Sequence, residues 1–396
     1  MSLDIYRVEN SHELDAEKNC WNSLLAQNAT KSAFLLWEWI SSWYTYRCSQ
    51  QHSYLLKIKD KANEEIVGYA PFFLKERKLA ALKFRELAFA GSDSICSEYL
   101  DVIIKKGVEV EVINAIFDYL MKHHDDWDCI KLTDLLPDSI TYITGKELIR
   151  KYNLNLYLGI SRICIYKPLP SSWDKFIKSL RKKRRDEFKY YENKLTKMFK
   201  NIEYGKVSND KKEVYYYMNK LMDLHQTRWK SKDIYGIFSS NSMKNFHFQV
   251  ASRMSVISCL DLYYLKLENK IVSMLYGFNY NKKIYYYNSG FDIAYKDYAV
   301  GMLLIKNIFE NCISHGIIEF DFLRGQSPYK FKFMPDKRNT YYLELHQKKL
   351  KNYLFIVMCS AKNICNKYIP MFIPKGIRKH ISIMINKRKS KIIQNG

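Results

Sequence analysis

Late in the chain, Phe320-Asp321-Phe-Leu-Arg324-Gly-Gln-Ser-Pro-Tyr329-Lys330 gathers a carboxylate, a guanidinium, a phenol and an amine in one short run. The apolar alternation up to Phe322 predicts a strand. Asp321 then lies inside it, while Arg324, Tyr329 and Lys330 follow its carboxyl end, where open α/β sheets bind ligands. Acid, base and anion-binding groups are all present. A structural Asp–Arg pair holding a turn is the plainer alternative.

A second run, Tyr298-Ala-Val300-Gly301-Met302, follows a predicted strand ending at Ser289-Gly290 and opens a helix. Helix N-termini carry unpaired N–H groups and a partial positive charge, and so attract phosphate. Gly301 would let a pyrophosphate come close to the backbone. A small residue placed there for packing explains the same letters. Leu224-His225-Gln-Thr-Arg228-Trp229 closes another predicted helix, with His225 and Arg228 sharing a face. An imidazole can take a proton from an amine near neutral pH, although a lone helical His is more often a surface or core residue. Gly91-Ser-Asp93-Ser-Ile-Cys-Ser-Glu98-Tyr99-Leu-Asp101 crowds acids and a tyrosine between two strands. That loop suits a sugar or an amine, or serves as an acidic connector. Ser179-Leu-Arg-Lys-Lys-Arg-Arg185 is basic on every face of a helix, for an anionic partner or for solvent.

The elements that must hold these residues follow from periodicity. In the first half, residues 34–43 read as a short helix; 53–59, 65–74, 87–91 and 100–104 as strands; 108–123 as an amphipathic helix; and 129–133 as a further strand. The second half starts near Ile160 with a strand over 162–166. Long helices follow over 173–199 and 214–229, then a three-strand meander over 262–289. A helix over 299–314 is stopped by Gly316, and a strand over 317–322 precedes a short helical turn.

Composition bounds the rest. With 396 residues the chain exceeds one ordinary core, so two domains are expected. The net charge is +23, yet twelve Lys/Arg and no Asp or Glu fall between His346 and the end, so this tail holds about half the excess. Such a balance suits any polyanion, whether phosphate-bearing cofactor, acidic lipid, tRNA or polysaccharide. The nine cysteines form no C-x-x-C pair and no Cys/His cluster has ligand spacing, so no metal site is expected. The opening Met-Ser-Leu-Asp lacks a basic and then apolar leader, which predicts a reducing, cytoplasmic setting. No apolar stretch reaches the ~18–20 residues that span a bilayer. In residues 346–396, Leu354-Phe-Ile-Val-Met358 and Ile381-Ser-Ile-Met-Ile385 lie among cations, a pattern suited to peripheral contact with an anionic membrane at the inner face of the plasma membrane.

Together these segments resemble the CelD/BcsL-type family of GNAT acyltransferases, relatives of the FemAB aminoacyltransferases, over about Phe34 to Lys332. The resemblance rests on Phe34-Leu-Leu-Trp-Glu-Trp39, Gly91 with Glu98-Tyr-Leu-Asp101, Ser179–Arg185, Leu224–Trp229 and Tyr286-Tyr-Asn-Ser-Gly-Phe-Asp292. Tyr298–Gly301 and Asp321-Phe-Leu-Arg-Gly325 with Tyr329-Lys330 complete it, all in the family's order. It implies an α/β (α+β) fold of two tandem GNAT-like domains, each a mixed, mostly antiparallel sheet covered by helices. The domains would span 1–159 and 160–345, with a basic tail over 346–396. It further implies acetyl-CoA or another acyl-CoA as donor, its pyrophosphate at Tyr298, Val300, Gly301 and Met302. The full Gln/Arg-x-x-Gly-x-Gly/Ala loop is missing, as in FemAB relatives that use aminoacyl-tRNA. Asp321 or His225 would act as base and Tyr329 as acid, with Tyr99, Asp101, Arg228, Trp229, Arg324 and Lys330 on the substrate side. The acceptor would be an amine-bearing sugar in cell-surface polysaccharide biosynthesis. A tRNA-dependent transferase and a non-catalytic polysaccharide-assembly factor are the other two readings.

Overall fold

Fourteen-residue strands and two-residue turns follow directly from where the chain places its β-branched and aromatic residues. The computed structural model describes residues 1–8, 11–48, 52–79, 82–92, 95–147, 149–230, 236–355 and 357–358. They form two units, one of Met1–Ser161 with the chain from Thr340 onward, the other of Arg162–Asn339.

The first unit holds β1 (Leu3–Val8), β2 (Ser53–Asp60), β3 (Ile66–Leu79), β4 (Leu82–Phe89), β5 (Ile103–Ile104) and β6 (Cys129–Leu135). Its helices are α1 (Ser11–Ala16), α2 (Lys18–Gln27), α3 (Trp37–Arg47), α4 (Glu109–Lys122), α5 (Ile140–Glu147) and α6 (Ile149–Tyr152). Strands β1-β2-β3-β4-β6 are neighbours in that order, and β5 lies on β3. All pairings are antiparallel except β4 with β6, which α4 joins as a crossover. Indoles fill the core with their N–H groups satisfied: Trp21 donates to Leu35 O at 2.8 Å, Trp37 to Leu14 O at 2.7 Å and Trp39 to Ser97 Oγ at 2.8 Å. The strand expected over 100–104 shrinks to β5. Asp101 turns its carboxylate onto Val102 N, and Leu100 N donates to Asp134 O instead of a neighbouring strand.

The second unit takes the end of β7 (Asn155–Pro168) from Arg162, then β8 (Ile202–Lys206), β9 (Leu260–Leu267), β10 (Lys270–Tyr280), β11 (Lys283–Phe291) and β12 (Glu319–Arg324). The order is β7-β12-β11-β10-β9-β8, with β11 and β12 parallel and the rest antiparallel. Both meander turns take positive φ at two successive residues, Glu268-Asn269 and Asn281-Lys282, the geometry that matches strand twist in two-residue hairpins. Helices α7 (Trp173–Ser179), α8 (Lys182–Met198) and α11 (Val300–Ser314) cover one face, burying Leu180, Phe188, Leu303, Leu304 and Ile308 on Leu275, Ile284 and Phe320. Helices α9 (Lys211–Lys230) and α10 (Asn241–Val256) cover the other, and α12 (Pro328–Phe331) follows β12.

Several expectations change here. The helix predicted over 173–199 breaks in two, because Leu180 and Arg181 are extended and Leu180 drops into the core. Helix α10 and the edge strand β8 were not foreseen. Residues 340–345, expected with the second domain, belong with the first unit, since β13 (Asp336–His346) pairs with β6 from Tyr341 to His346. The start of the basic tail is also docked on that unit. Gln347 Nε2 donates to Trp127 O at 2.9 Å, Asn352 Nδ2 to Asp128 O at 2.9 Å, and Phe355 stacks on Phe84 with centroids 3.7 Å apart. Residues 359–396 lie outside the described residues. Among those described, no helix is long and apolar enough to cross a membrane, and no group of three or more His, Cys, Asp or Glu could hold a metal.

Candidate functional site

Strand β12 pairs with β11 only from Lys283 to Tyr285, although β11 continues to Phe291. Beyond Tyr285 the two parallel strands diverge. A β-bulge coincides with the parting: Tyr276 faces Asn288 and Gly277 faces Tyr286 on β10, so Tyr287 falls out of register. Bulges re-aim backbone groups and recur beside active sites. A cleft of about 400 Å³ occupies the region, lined by Tyr286, Ser289, Gly290 and Phe291 of β11, by residues 299–302 at the start of α11, and by Tyr329 of α12.

The N-terminus of α11 opens into this cleft. Its cap, Ala299, is left-handed (φ 51°) and provides no side-chain acceptor, and no acid stands in the first turn. Met302 N donates back to Ala299 O at 2.9 Å, so it is the N–H groups ahead of it, with the positive end of the helix dipole, that no side-chain cap or first-turn acid answers. A Cβ at Gly301 would find only Phe291 Cδ1 within 4 Å, at 3.8 Å. Packing does not require glycine there; what its absent side chain leaves open is cleft. The loop ahead of the helix is tied down by Asp292, whose Oδ1 accepts from Ala294 N at 3.0 Å, and by Lys194, whose Nζ donates to Asp297 O at 3.0 Å. Lys296, Lys332 and Arg228 add positive charge to the lining. Arg184 of α8 lies beside Met302, only 6% exposed, paired with Glu187 at 2.6 Å, and its Nε has no partner. Burial lowers its pKa from the ordinary arginine value.

Deeper in the cleft stands a chain of hydroxyls. Tyr286 Oη and Ser289 Oγ are 2.5 Å apart, and Tyr329 is hydrogen-bonded to Tyr286. Burial, reinforced by Tyr286, pushes the Tyr329 phenol far above the usual tyrosine range, while Arg228 opposes that shift. Tyr329 is thus a neutral donor at any physiological pH.

The structure separates the residues singled out in the sequence. Val300, Gly301, Met302, Arg228 and Tyr329 line the cleft together. Tyr298 does not; it packs edge-on against Phe199 at 5.2 Å and steadies the preceding loop. Asp321 is fully buried, accepts from Leu323 N at 2.7 Å and lies 3.6 Å from Arg338, so it holds the turn in which Leu323 takes φ 59°. Lys330 reaches back to the carbonyls of Phe322, Leu323 and Arg324 at 2.7, 3.3 and 2.7 Å, closing the same turn. His225 sits between Trp229 and Phe238, ring centroids 5.9 and 4.9 Å away, and burial depresses its pKa to about 4. It is a poor base there and does not line the cleft. Tyr99 and Asp101 lie buried in the first unit, where Asp101 accepts from Thr30, Thr141 and Val102 N. Asp93 lies outside the described residues.

Missed in the sequence were Arg184, Glu187, Tyr286, Ser289, Lys296 and Lys332 as lining or neighbouring groups. One signal was available: Arg184 stands four residues before Phe188 and eleven before Leu195, so it sits in the apolar stripe of α8 rather than among the exposed charges.

Residues 182–331 match the family described as acetyltransferase (GNAT) domain. The second unit therefore carries a GNAT acyltransferase domain. No curated protein sequence matches the chain. Among solved structures, FemX is similar at 11% identity and TM-score 0.57, over 89% of this chain and 99% of that one. A conserved protein of unknown function from Bacteroides thetaiotaomicron is similar at 10% identity and TM-score 0.54, over 87% and 100%. The C-terminal domain of a proposed lysylphosphatidylglycerol synthetase from Agrobacterium fabrum follows at 8% and 0.51, over 88% and 95%. At such identities the likeness is one of fold, and it runs through both units.

Proposed function

We propose that the second unit moves an acyl group, an acetyl group first among them, from acyl-CoA to the amine of a sugar or related acceptor used in cell-surface polysaccharide. The observation carrying this reading is the cleft between the parting ends of β11 and β12, leading to the uncapped start of α11. A strand whose partner has left it offers backbone donors and acceptors to a linear amide chain. A helix N-terminus in a cleft lined by Lys296, Lys332 and Arg228, with Arg184 beside Met302, suits a pyrophosphate. The sugar acceptor and the polysaccharide setting rest on the CelD/BcsL-type resemblance, and a cytoplasmic location follows from the donor.

In this mechanism a neutral amine attacks the thioester carbonyl, the C–N bond forms and the C–S bond breaks. Tyr329 gives its proton to the departing sulfur, and the amine's proton returns to Tyr329 through Ser289 and Tyr286. A thiol is a stronger acid than this buried phenol, at about 8.5 in free cysteine. The two proton movements must therefore run in step. Backbone N–H groups at the Tyr287 bulge are assigned to the developing oxyanion. Arg228 and Trp229 stand on the acceptor side. Holding both reactants in the cleft supplies much of the rate, and no covalent enzyme intermediate is required.

One observation favours an aminoacyl-tRNA donor instead: Arg181, Lys182, Lys183 and Lys189 are exposed on and before α8, the helix that gives the cleft Glu187 and Tyr191. Calorimetric titration with acetyl-CoA, run beside a salt titration of tRNA binding, tests the proposal. Saturable acetyl-CoA binding with only steeply salt-dependent tRNA binding is expected. No heat with acetyl-CoA, together with tRNA binding that survives salt, transfers the assignment to tRNA.

A further inference from the structure

Among the cations of the cleft stands one carboxylate. Glu187 of α8 lines the cleft, half-buried, with its Oε2 2.6 Å from Arg184 Nη1. The guanidinium of Arg184 is walled in by apolar groups. Met302 Sδ lies against Nη1, and the Phe188 and Phe333 rings are 5.9 and 5.8 Å from Cζ. Met302, Phe333 and Glu187 all line the cleft, so the buried cation sits directly behind its wall. Glu187 answers that cation only in part, because Arg184 Nε is buried with no hydrogen-bond partner. The location is unfavourable twice over. A buried charge needs a paired anion, and Arg184 stands in the first turn of α8, at the positive end of the helix dipole.

Glu187 also has a second place to go. Lys183 is exposed and four residues earlier, a spacing at which a helix brings opposite charges together. A carboxylate that turns from Arg184 to Lys183 exchanges a sheltered pair for a solvated one and leaves the guanidinium to another anion. We propose that Glu187 stands in for the donor's phosphates, neutralising Arg184 until an incoming diphosphate displaces it. Glu187 thereby becomes a selectivity residue that acts through Arg184. An anion enters only if it binds the guanidinium better than a carboxylate already tethered beside it, which disfavours weaker anions. This inference rests on the reading of the cleft as an acyl-CoA site and adds the residue that decides which anions it admits.

Calorimetric titration of CoA, and separately of inorganic pyrophosphate, into the parent, Glu187→Gln, Arg184→Met and the double variant tests it. Glu187→Gln should bind both probes roughly tenfold more tightly, mid-range for two coupled neighbours. The gain should vanish when Arg184 is also Met, because no guanidinium is then released. Asp186→Asn, which removes an exposed acid one residue away, should bind like the parent and so excludes a general effect of net charge. Melting temperatures report whether each variant is folded, and the Glu187→Gln and Asp186→Asn pair decides the matter even where Arg184→Met is not. A parent that binds CoA as well as or better than Glu187→Gln overturns the exchange and leaves the acyl-CoA reading standing. A gain that persists without Arg184, or that Asp186→Asn reproduces, overturns it too. Tighter pyrophosphate binding by Glu187→Gln with no CoA binding by any variant supports the exchange and removes CoA as the donor. No binding of either probe to parent or Glu187→Gln overturns both.

Discussion

Each unit contains one parallel strand pair joined by a crossover helix: β4, α4 and β6 in the first, β11, α11 and β12 in the second. The helices begin differently. Helix α4 carries Glu109 and Glu111 in its first turn, and Glu109 Oε2 also accepts from Gly107 N at 2.9 Å. Its positive end is already answered. Helix α11 opens with Val300, Gly301 and Met302, has no acid in its first turn, and faces a cleft with three cations. The polar groups around the two crossovers differ in the same way. Asp101 of the first unit spends its oxygens on Thr30, Thr141 and its own backbone, whereas Tyr286, Ser289 and Tyr329 meet open space. On the proposed function, one topology, written twice, offers an anion site only where its own side chains have not already taken the anion's place.

The contrast can be broken at several points. The largest effect should come from Tyr329→Phe, which removes the proposed donor to the leaving group. Turnover should fall about a hundredfold, the lower range for a lost general acid, with little change in KM. Unchanged kcat would strip Tyr329 of that role.

Next comes acid. His225 has a pKa lowered to about 4 by burial, and His247 to about 3, from an ordinary 6.5. Below 6.5 the unfolded chain takes up protons that the folded one refuses, so stability is full above 6.5 and falls as pH drops toward 4. His225 alone accounts for on the order of 3 kcal/mol of that loss. Urea unfolding of His225→Phe above and below pH 6.5 should show a flatter dependence than the parent; an equal slope would contradict the assignment. In the first unit, Thr141→Val should cost about 1–3 kcal/mol by leaving Asp101 short of a donor, and should leave turnover alone. A loss of turnover at unchanged melting temperature would instead make Asp101 part of a site.

Much of this was legible in the letters. The meander, helix α11 and its stop at Gly316 follow from alternation, 3.6-residue periodicity and turn residues, all local signals. That Val300–Met302 open a helix after a strand was equally legible, while the choice there between phosphate binding and packing was not. Charged residues left two readings open, chemistry or a held turn. Asp321 and Lys330 looked like chemistry, yet each bends back onto backbone a few residues away, a path set by the left-handed Leu323 that no pattern announces. Arg184 looked like surface because cations surround it. The destination of β13 was hidden for another reason: strand alternation shows that a segment pairs, but not with what.

The central claim is that the start of α11 takes the donor's pyrophosphate, and Gly301→Asp tests it most directly. The substitution gives α11 the acidic first turn that α4 already has, at a position where a Cβ meets only Phe291 at 3.8 Å. Calorimetric titration of CoA into parent and variant is the measurement, with the melting temperature as a check on folding. Saturable binding to the parent, lost by a hundredfold or more (about 2.7 kcal/mol) in a variant that melts with it, is the predicted result. CoA binding of equal strength to both proteins would contradict the account.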